Sequence, residues 1–351
     1  MTTVTMDDRP VTVPDGATVL TAARQLGIAI PTLCHRDGLE PQTACMACVV
    51  RIAGWDRLVP ACAITCTEGM VIASETDEAV GAARRRAVEL LLGDHLGDCD
   101  APCQLADPLG RHIPRMIRHV AAGDIAAAAA TLAAGADGGL PAPDEVDTDR
   151  PETACRRGRH DAPVAIGELM HYVVRAAQQR GIAPAPRPAP RRRSVCVHMG
   201  RLDADEMAVL LAQANPAGRV VASRAEGYTD AEACAEAARC LHCDCRAAAT
   251  CALREAAETV GATVPRGAGE RRRLEIDAEH PAVIHEPGKC IACGLCVQIT
   301  AARGEPVGMA FVGRGFGVRV RPAMGRSLAE ALTVSTDACV DACPTGALAW
   351  R

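Results

Sequence analysis

The amino-terminal part of the chain alternates short apolar runs with turn residues, a pattern that predicts strands packed on one helix. Thr18 follows the turn pair Asp15-Gly16 and is expected to cap a helix over Val19–Leu26. The predicted strands, each with polar or turn residues beside it, are Val4–Met6, Arg9–Val13, Cys48–Ile52 and Met70–Ala73. The pattern therefore predicts a small sheet with one helix.

The middle of the chain has a helical pattern instead. Alanine, which has the best helix propensity, is abundant there. The expected helices are Ile113–Ala122, Ile125–Ala134, Ile166–Arg180 and the amphipathic Thr229–Arg239. The acidic, Gly/Pro-rich stretch Asp137–Pro151 is expected to be an exposed loop, and the Pro-rich Gly181–Arg193 a stiff linker. Ser194–Met199 is predicted as a strand that leads into a helix.

Composition excludes several function classes. The 351 residues include 19 Cys but only two Trp, two Tyr and two Phe, so large aromatic rings do not organise the interior. A net charge of −5 gives no electrostatic basis for binding nucleic acid, and no apolar run is long enough for a membrane span. Met1–Asp8 has no signal-peptide pattern. We therefore expect a cytoplasmic protein whose cysteines bind metal or carry redox chemistry rather than form disulfides.

Four cysteines near the amino terminus have the spacing of an iron–sulfur loop. Cys34, Cys45 and Cys48 lie close together, and Cys62 follows at a distance. A long loop that supplies most ligands, with one more from a later strand, is typical of a [2Fe–2S] centre in a β-grasp ferredoxin. Zinc is the main alternative throughout the chain, because two Cys-x2-Cys pairs can also form a tetrahedral zinc site.

The segments around these cysteines carry a family resemblance. They are Gly16-Ala17-Thr18-Val19-Leu20, Ile30-Pro31-Thr32-Leu33-Cys34, Val59-Pro60-Ala61-Cys62 and Glu68-Gly69-Met70. They resemble the amino-terminal ferredoxin domain of complex I large subunits, which cytosolic hydrogenases and NAD-linked formate dehydrogenases share. The resemblance covers residues 1 to about 97 and implies that the four cysteines ligate one [2Fe–2S] cluster. Cys66 falls outside the pattern and is expected to be a small buried thiol.

A second group of candidate ligands begins with a histidine. Its members are His95, Cys99, Cys103 and Cys155. Their spacing resembles the helical iron–sulfur domain at the front of glutamate synthase small subunits and dihydropyrimidine dehydrogenases, which carries two [4Fe–4S] clusters. Asp107 and Pro151 stand where that family has cysteines. The resemblance thus implies one remaining cluster, with His95 as its fourth ligand; the alternative is a surface histidine beside a metal-free domain.

A third group of cysteines, Cys240, Cys243, Cys245 and Cys251, follows the predicted helix Thr229–Arg239. It resembles the segment after the flavin domain in some of the same flavoproteins. Four cysteines in so short a stretch can enclose one [4Fe–4S] cluster, and a four-cysteine zinc site is the alternative. Cys234, on the helix itself, is expected to be a packing residue.

The fourth group has the most specific spacing. Cys290, Cys293 and Cys296 form the Cys-x2-Cys-x2-Cys run that begins a bacterial ferredoxin motif, and Cys343 precedes a proline as at the end of such a motif. Thr300 occupies the place where the first run would have its own Cys-Pro. We therefore expect one complete [4Fe–4S] cluster held by these four cysteines, with Cys339 the remnant of a second.

The chain lacks a recognisable dinucleotide-binding loop. Gly313–Gly317 is the nearest approach to Gly-x-Gly-x-x-Gly, but it lacks the third glycine and no helix opens after it. We therefore expect neither FAD nor NAD on this chain. A chain with one-electron centres but no two-electron cofactor can pass electrons but cannot accept a hydride.

These patterns predict an α+β, multidomain chain: a β-grasp [2Fe–2S] ferredoxin domain, an α-helical iron–sulfur domain and a carboxy-terminal ferredoxin-like [4Fe–4S] domain. The expected divisions are 1–93 for the first domain, 94–180 for the helical domain, 181–193 for the linker, 194–275 for a small α/β segment with the third cysteine group, and 276–351 for the last domain.

The expected function is that of a non-catalytic, electron-transfer subunit with one [2Fe–2S] and up to three [4Fe–4S] clusters. It would relay single electrons between a flavoprotein or NAD(P)-binding subunit and a catalytic subunit that carries molybdopterin or nickel–iron. Two alternatives stay open: a redox catalytic subunit that binds flavin at an unrecognised site, and a zinc-stabilised scaffold protein. The sequence names neither the terminal substrate nor the direction of electron flow.

Overall fold

The computed structural model describes residues 1–95, 99–133, 139–142, 149–184, 208, 211–222, 224, 226–247, 250–263 and 275–351. The chain divides into two compact units. The first unit comprises residues 1–97 and 246–351, and the second comprises residues 98–245. The expected strand Ser194–Met199, Cys196 and most of the predicted linker lie outside the described residues.

The first unit begins with a mixed five-stranded sheet, in the order β2-β1-β5-β3-β4. Its strands are β1 (Thr2–Met6), β2 (Arg9–Val13), β3 (Val49–Ile52), β4 (Leu58–Pro60) and β5 (Val71–Ala73). The neighbouring strands are antiparallel except for β1 and β5, which are parallel. The strands predicted from the sequence are confirmed, and β4, which was not predicted, completes the edge.

Two helices accompany this sheet. Helix α1 (Val19–Gln25) begins at Thr18, as predicted, because the Thr18 hydroxyl accepts a hydrogen bond from the backbone N–H of Thr21. Helix α2 (Glu78–Asp94) is joined to the sheet by the buried Arg84, whose Nε donates to the Val49 carbonyl oxygen at 2.9 Å. A continuous apolar core that includes Cys48, Cys62 and Cys66 lies under the sheet.

The first unit continues in the carboxy-terminal third of the chain with two antiparallel strand pairs. Strands β6 (Val283–His285) and β9 (Leu348–Trp350) pair antiparallel, as do β7 (Met309–Val312) and β8 (Arg319–Pro322). The helices of this part are α9 (Ala252–Val260), α10 (Leu295–Ala302), α11 (Leu328–Ala331) and α12 (Thr336–Ala342). Helix α9 packs on α2, and α10 packs on α12.

The glycine-rich segment Gly313–Gly317 joins β7 to β8. A positive φ of 87° at Gly313, and a Cβ that would lie 2.7 Å from the Gly317 carbonyl oxygen, explain why glycine is needed there. The segment is a turn between two strands, in keeping with its rejection as a dinucleotide loop.

The second unit is helical. Its helices are α3 (Pro102–Ala106), α4 (Ile113–Ala121), α5 (Ile125–Leu132), α6 (Asp149–Thr153), α7 (Ile166–Gln179) and α8 (Asp230–Ala237). The predicted helices are confirmed to within two or three residues at their ends, and Thr229 caps α8 through a capping box with Glu232. None of the described helices in either unit is both long and apolar enough to cross a membrane.

The expected exposed loop Asp137–Pro151 is confirmed only in part within its described residues. Residues 139–142 form neither helix nor strand and Ala142 is exposed, whereas Gly139 and Pro141 are buried and Pro151 lies inside helix α6. Next to Pro151, the buried carboxylate of Glu152 accepts hydrogen bonds from the backbone N–H groups of Gly167 at 3.0 Å and Val221 at 2.7 Å. These contacts fix the carboxy-terminal end of the stretch in its unit.

Candidate metal centres

Four cysteines meet at one place beside the amino-terminal sheet, and we call this group the amino-terminal site: Cys34, Cys45, Cys48 and Cys62. The Sγ atoms of Cys34 and Cys45 are 3.3 Å apart, and those of Cys48 and Cys62 are 3.5 Å apart. Two thiolates on one tetrahedral metal with bonds of about 2.3 Å lie about 3.7 Å from each other. All four are buried. Two close sulfur pairs are the ligand arrangement that a two-iron cluster requires.

The amino-terminal site favours thiolates at two of its positions. The pKa of Cys45 is lowered to about 6, chiefly because its sulfur accepts a hydrogen bond from the Cys34 thiol, and backbone N–H groups add to the effect. The hydrogen bond between Cys48 and Cys62 lowers the pKa of Cys48 and raises that of Cys62. Metal binding requires the thiolate form of cysteine. The lowered pKa values of Cys45 and Cys48 therefore favour iron binding at these two positions.

A second group, the carboxy-terminal site, consists of Cys290, Cys293, Cys296 and Cys343. These four cysteines line one cavity of about 380 Å³. The first three precede or begin α10, and Cys343 directly follows α12, which packs on α10. The fold therefore brings together the same four cysteines that the sequence spacing assigns to one ferredoxin-type cluster. Cys339 is buried on α12 and is not among the residues that line this cavity.

The ligand groups predicted for the middle of the chain are arranged differently. Cys103 and Cys155, expected to share a cluster with His95 and Cys99, line a cavity of about 330 Å³ in the second unit. Cys240 and Cys243, expected to belong to a separate centre, line the same cavity. We call these four cysteines the helical site.

The other members of the two predicted groups lie elsewhere in their units. In the first unit, His95 is buried at the end of α2, and the Cys251 sulfur lies 3.7 Å from the Pro344 carbonyl oxygen. In the second unit, the backbone N–H of Cys245 donates to the Cys99 carbonyl oxygen at 3.1 Å. Neither Cys99 nor Cys245 lines the cavity of the helical site.

Two cysteines expected to be packing residues occupy such positions. Cys66 lies in the apolar core of the first sheet, where burial raises its pKa. Cys234 is half-buried on α8, with its sulfur 3.3 Å from the Val120 carbonyl oxygen.

Two buried ion pairs include residues that are close in sequence to the cysteines of the helical site. Asp107, at a position where the resembling family has a cysteine, is fully buried and accepts hydrogen bonds from the backbone N–H of Arg111 at 2.8 Å and from its Nε at 3.0 Å. Asp244, next to Cys243, is also buried and binds both terminal nitrogens of Arg118, at 2.8 and 2.9 Å. The sequence pattern pointed to neither pair.

Comparison with known proteins identifies the first domain. Residues 1–77 match the family model of the 2Fe-2S iron–sulfur cluster binding domain. The chain is 40% identical over 100 residues to an NADH-quinone oxidoreductase subunit of Streptomyces coelicolor, a match that covers 28% of this chain and 12% of that protein. It is 41% identical over 105 residues to an NADP-reducing hydrogenase subunit of Solidesulfovibrio fructosivorans, which covers 28% and 18% of the two chains.

The chain thus spans less than a fifth of the length of these curated relatives. Among solved structures, it is similar to a chain of an NAD+-reducing [NiFe]-hydrogenase in the H2-reduced state, with a TM-score of 0.45, 18% sequence identity and coverage of 100% of this chain and 87% of that one. The amino-terminal site lies within the segment that the family model matches. Residues 1–77 are therefore similar to the 2Fe-2S iron–sulfur cluster binding domain, which supports a [2Fe–2S] cluster in this part of the chain.

Proposed function

We propose that the chain is an iron–sulfur subunit that relays single electrons in the cytoplasm. It would exchange electrons with two partners: a flavin- or NAD(P)-binding subunit and a catalytic subunit that carries nickel–iron or molybdopterin. The relatives support an NAD(P)-linked assembly, because they are named as NADH-quinone oxidoreductase and NADP-reducing hydrogenase subunits. The resemblance of the first domain to those of hydrogenases and formate dehydrogenases supports the catalytic partner.

The observation that carries this proposal is the proximity of two four-cysteine sites within the first unit. The loop that carries Cys45 contacts helix α10 of the carboxy-terminal site through Glu40 and Gln298. After burial, Cys45 is also among the sulfurs that raise the pKa of Cys293 to about 12. We infer that clusters at the two sites exchange an electron directly.

Contacts between the two ligand-bearing segments keep the sites together. The Gln298 side chain on α10 donates a hydrogen bond to the Glu40 carbonyl oxygen at 3.0 Å. A Cβ added at Gly294 would lie 3.1 Å from the Gln42 side-chain oxygen. The loop that carries Cys34 and Cys45 is therefore in contact with the start of α10.

Each part of the relay has a chemical role. When bound, an iron–sulfur cluster supplies reversible one-electron oxidation and reduction. The chain's cysteines hold the iron, burial limits the access of water, and backbone N–H groups donate to the sulfurs and set the potential. Hydride chemistry needs a two-electron cofactor, which this proposal assigns to the partners.

Electron paramagnetic resonance on the full chain, reduced anaerobically, tests the proposal. In the intact protein we expect the [2Fe–2S] signal to be broadened by magnetic interaction with the cluster of the carboxy-terminal site. Cys45→Ala should abolish the [2Fe–2S] signal and sharpen the neighbouring one. Cys66→Ala, in the same domain but outside the site, should leave both unchanged. Two non-interacting signals, or bound flavin in stoichiometric amount, would contradict a relay through this unit.

A further inference from the structure

The helical site draws its cysteines from three separate stretches of chain. Cys103 lies in the first turn of α3, Cys155 follows α6, and Cys240 and Cys243 follow α8. Cys103, Cys155 and Cys243 are each 8% exposed, and all four line one cavity of about 330 Å³. After burial, the neighbouring sulfurs of Cys155, Cys240 and Cys243 raise the pKa of Cys103. The four cysteines therefore surround one space inside the second unit.

The Cys-x2-Cys turn of the helical site has the same conformation as that of the carboxy-terminal site. His242 has a φ of 48°, and its backbone N–H donates to the Cys240 sulfur at 3.4 Å. Ala292 has a φ of 53°, and its N–H donates to the Cys290 sulfur at 3.3 Å. A left-handed conformation is costly for residues other than glycine. Both turns adopt it, which indicates that both must direct two cysteine sulfurs and a backbone N–H toward one bound group.

Cys155 is buried in the wall of the same cavity. Burial raises the pKa of its thiol, and the nearby backbone N–H groups of Val164, Arg157 and Gly158 oppose this rise without cancelling it. In iron–sulfur proteins, N–H groups near a ligand sulfur tune the potential of the cluster.

We propose that Cys103, Cys155, Cys240 and Cys243 together hold one [4Fe–4S] cluster. This assignment joins ligands that the sequence placed in two different centres. Each thiol releases its proton to solvent as its sulfur bonds to iron. The proposal goes beyond the relay function and does not depend on it, because it concerns the ligand set of one unit.

The helical site is lined in the same way as the carboxy-terminal site. Each has four cysteines around one cavity, and in the carboxy-terminal site the spacing of these cysteines is that of a bacterial ferredoxin motif. Four cysteines can also bind one zinc ion, and metal analysis of the intact chain distinguishes the two.

A double-variant experiment on the full chain tests the assignment. The protein and its Cys155→Ala, Cys240→Ala and double variants are reconstituted anaerobically with ferrous iron and sulfide, and iron and acid-labile sulfide are counted. We expect each single variant to lose about four iron atoms per chain, and the double variant to lose the same four and no more. Cys234→Ala, on α8 but outside the cavity, should lose none.

Several results would overturn the proposal. If the double variant loses about twice the iron of either single variant, the two cysteines serve separate clusters. Unchanged iron in both single variants, or zinc in place of iron in the intact chain, would also contradict it. The [2Fe–2S] signal of the first unit serves as an internal standard, so failure here is distinguishable from failure of the relay proposal.

A second measurement avoids variants that fold poorly. The iron-loaded chain is treated with a chelator, and thiols are alkylated and identified by mass spectrometry over time. The four cysteines of the helical site should become reactive together, with one rate. Release of Cys103 and Cys155 at a different rate from Cys240 and Cys243 would contradict a shared cluster.

Discussion

The carboxy-terminal site and the helical site are alike in chemistry but differ in how the chain builds them. Each has four cysteines around a cavity of 380 or 330 Å³, and each contains a Cys-x2-Cys turn with a left-handed second middle residue. In the first, three ligands come from a single short loop. In the second, only two do, and the others come from distant stretches. One site is therefore largely encoded locally, whereas the other depends on tertiary packing.

The two sites also differ in the interactions around them. Beside Cys290, the buried Lys289 ammonium pairs with Glu286 at 2.7 Å, and the Thr345 hydroxyl donates to the Lys289 carbonyl oxygen, which joins this loop to the segment after Cys343. In the second unit, Asp107 and Arg111 pair within the stretch that follows Cys103, and Arg118 on α4 binds Asp244, next to Cys243. Because the ligands of the helical site come from three separate stretches, we expect this site to be more sensitive to changes outside its ligands.

The largest effect is expected for Asp107→Ala. The change leaves the guanidinium of Arg111 buried without its carboxylate, and breaking a buried ion pair costs about 3–5 kcal/mol of folding free energy. Urea unfolding followed by circular dichroism measures the loss, and iron counting should show the helical site depleted while the carboxy-terminal cluster is retained.

The control replaces the pair by apolar residues. Asp107→Leu with Arg111→Met removes both charges, and such replacements are often neutral or stabilising. Most of the lost stability should return. If the double variant is as unstable as Asp107→Ala, the packing of these positions, rather than the unpaired charge, is responsible.

A smaller effect is expected for Glu305→Gln, near the carboxy-terminal site. Burial opposes ionisation of Glu305, but hydrogen bonds from Ser335, Thr333 and Val334 outweigh it and lower the pKa to about 2. The Glu305 carboxylate thus holds the segment before α12, the helix that leads to Cys343. Loss of these charge-assisted bonds should cost about 2 kcal/mol at pH 7.

The lowered pKa of Glu305 predicts that the folding stability of the chain depends on pH. Because its folded pKa lies below the ordinary value of 4.5, its contribution is complete above about pH 4.5 and is lost as the pH falls toward 2. Glu305→Gln should remove this part of the acid sensitivity in denaturation curves. Glu330→Gln, in the exposed capping box of α11, is the matched control, and its loss of stability should be smaller than that of Glu305→Gln. Equal losses in the two variants would refute the special role of Glu305.

The shared turn gives a direct test of the likeness between the two sites. Ala292→Val and His242→Val should each destabilise their own unit by about 1–2 kcal/mol, because a β-branched residue fits a left-handed conformation poorly. The glycine variants at both positions should be tolerated. Thermal unfolding of the iron-loaded chains measures both. A valine that is harmless at one position only would show that the turns differ.

The smallest effect is expected for Thr229→Ala. Thr229 caps α8, the helix before Cys240, and loss of a capping hydroxyl costs about 1 kcal/mol. Thr229→Ser keeps the hydroxyl and should have little effect on the unfolding midpoint. Iron content should stay unchanged in both variants. Loss of iron from Thr229→Ala would mean that the end of α8, and not only the turn after it, fixes the ligands.

The comparison also shows what a sequence can predict. Hydrophobic period and caps located α1, α8 and four of the five strands of the first sheet, because these signals are local. The short elements β4, α3 and α6 were not predicted, since three to five residues carry too little periodicity. The long helix α2, the strands β6–β9 and the helices α9–α12 were not predicted either. The cysteine groups were found, but spacing along the chain constrains only ligands within one loop. It could not show that Cys155 and Cys240 line the same cavity, because this depends on how the helices of the second unit pack.

The most direct test of the account is an anaerobic redox titration of the purified full chain, monitored by electron paramagnetic resonance and combined with metal and flavin analysis. The account predicts at least about ten iron atoms per chain, from one [2Fe–2S] and two [4Fe–4S] clusters, each titrating as a one-electron couple. It predicts no bound flavin. Zinc without iron, or stoichiometric flavin with a two-electron transition, would contradict the central claim that this chain conducts single electrons between partners.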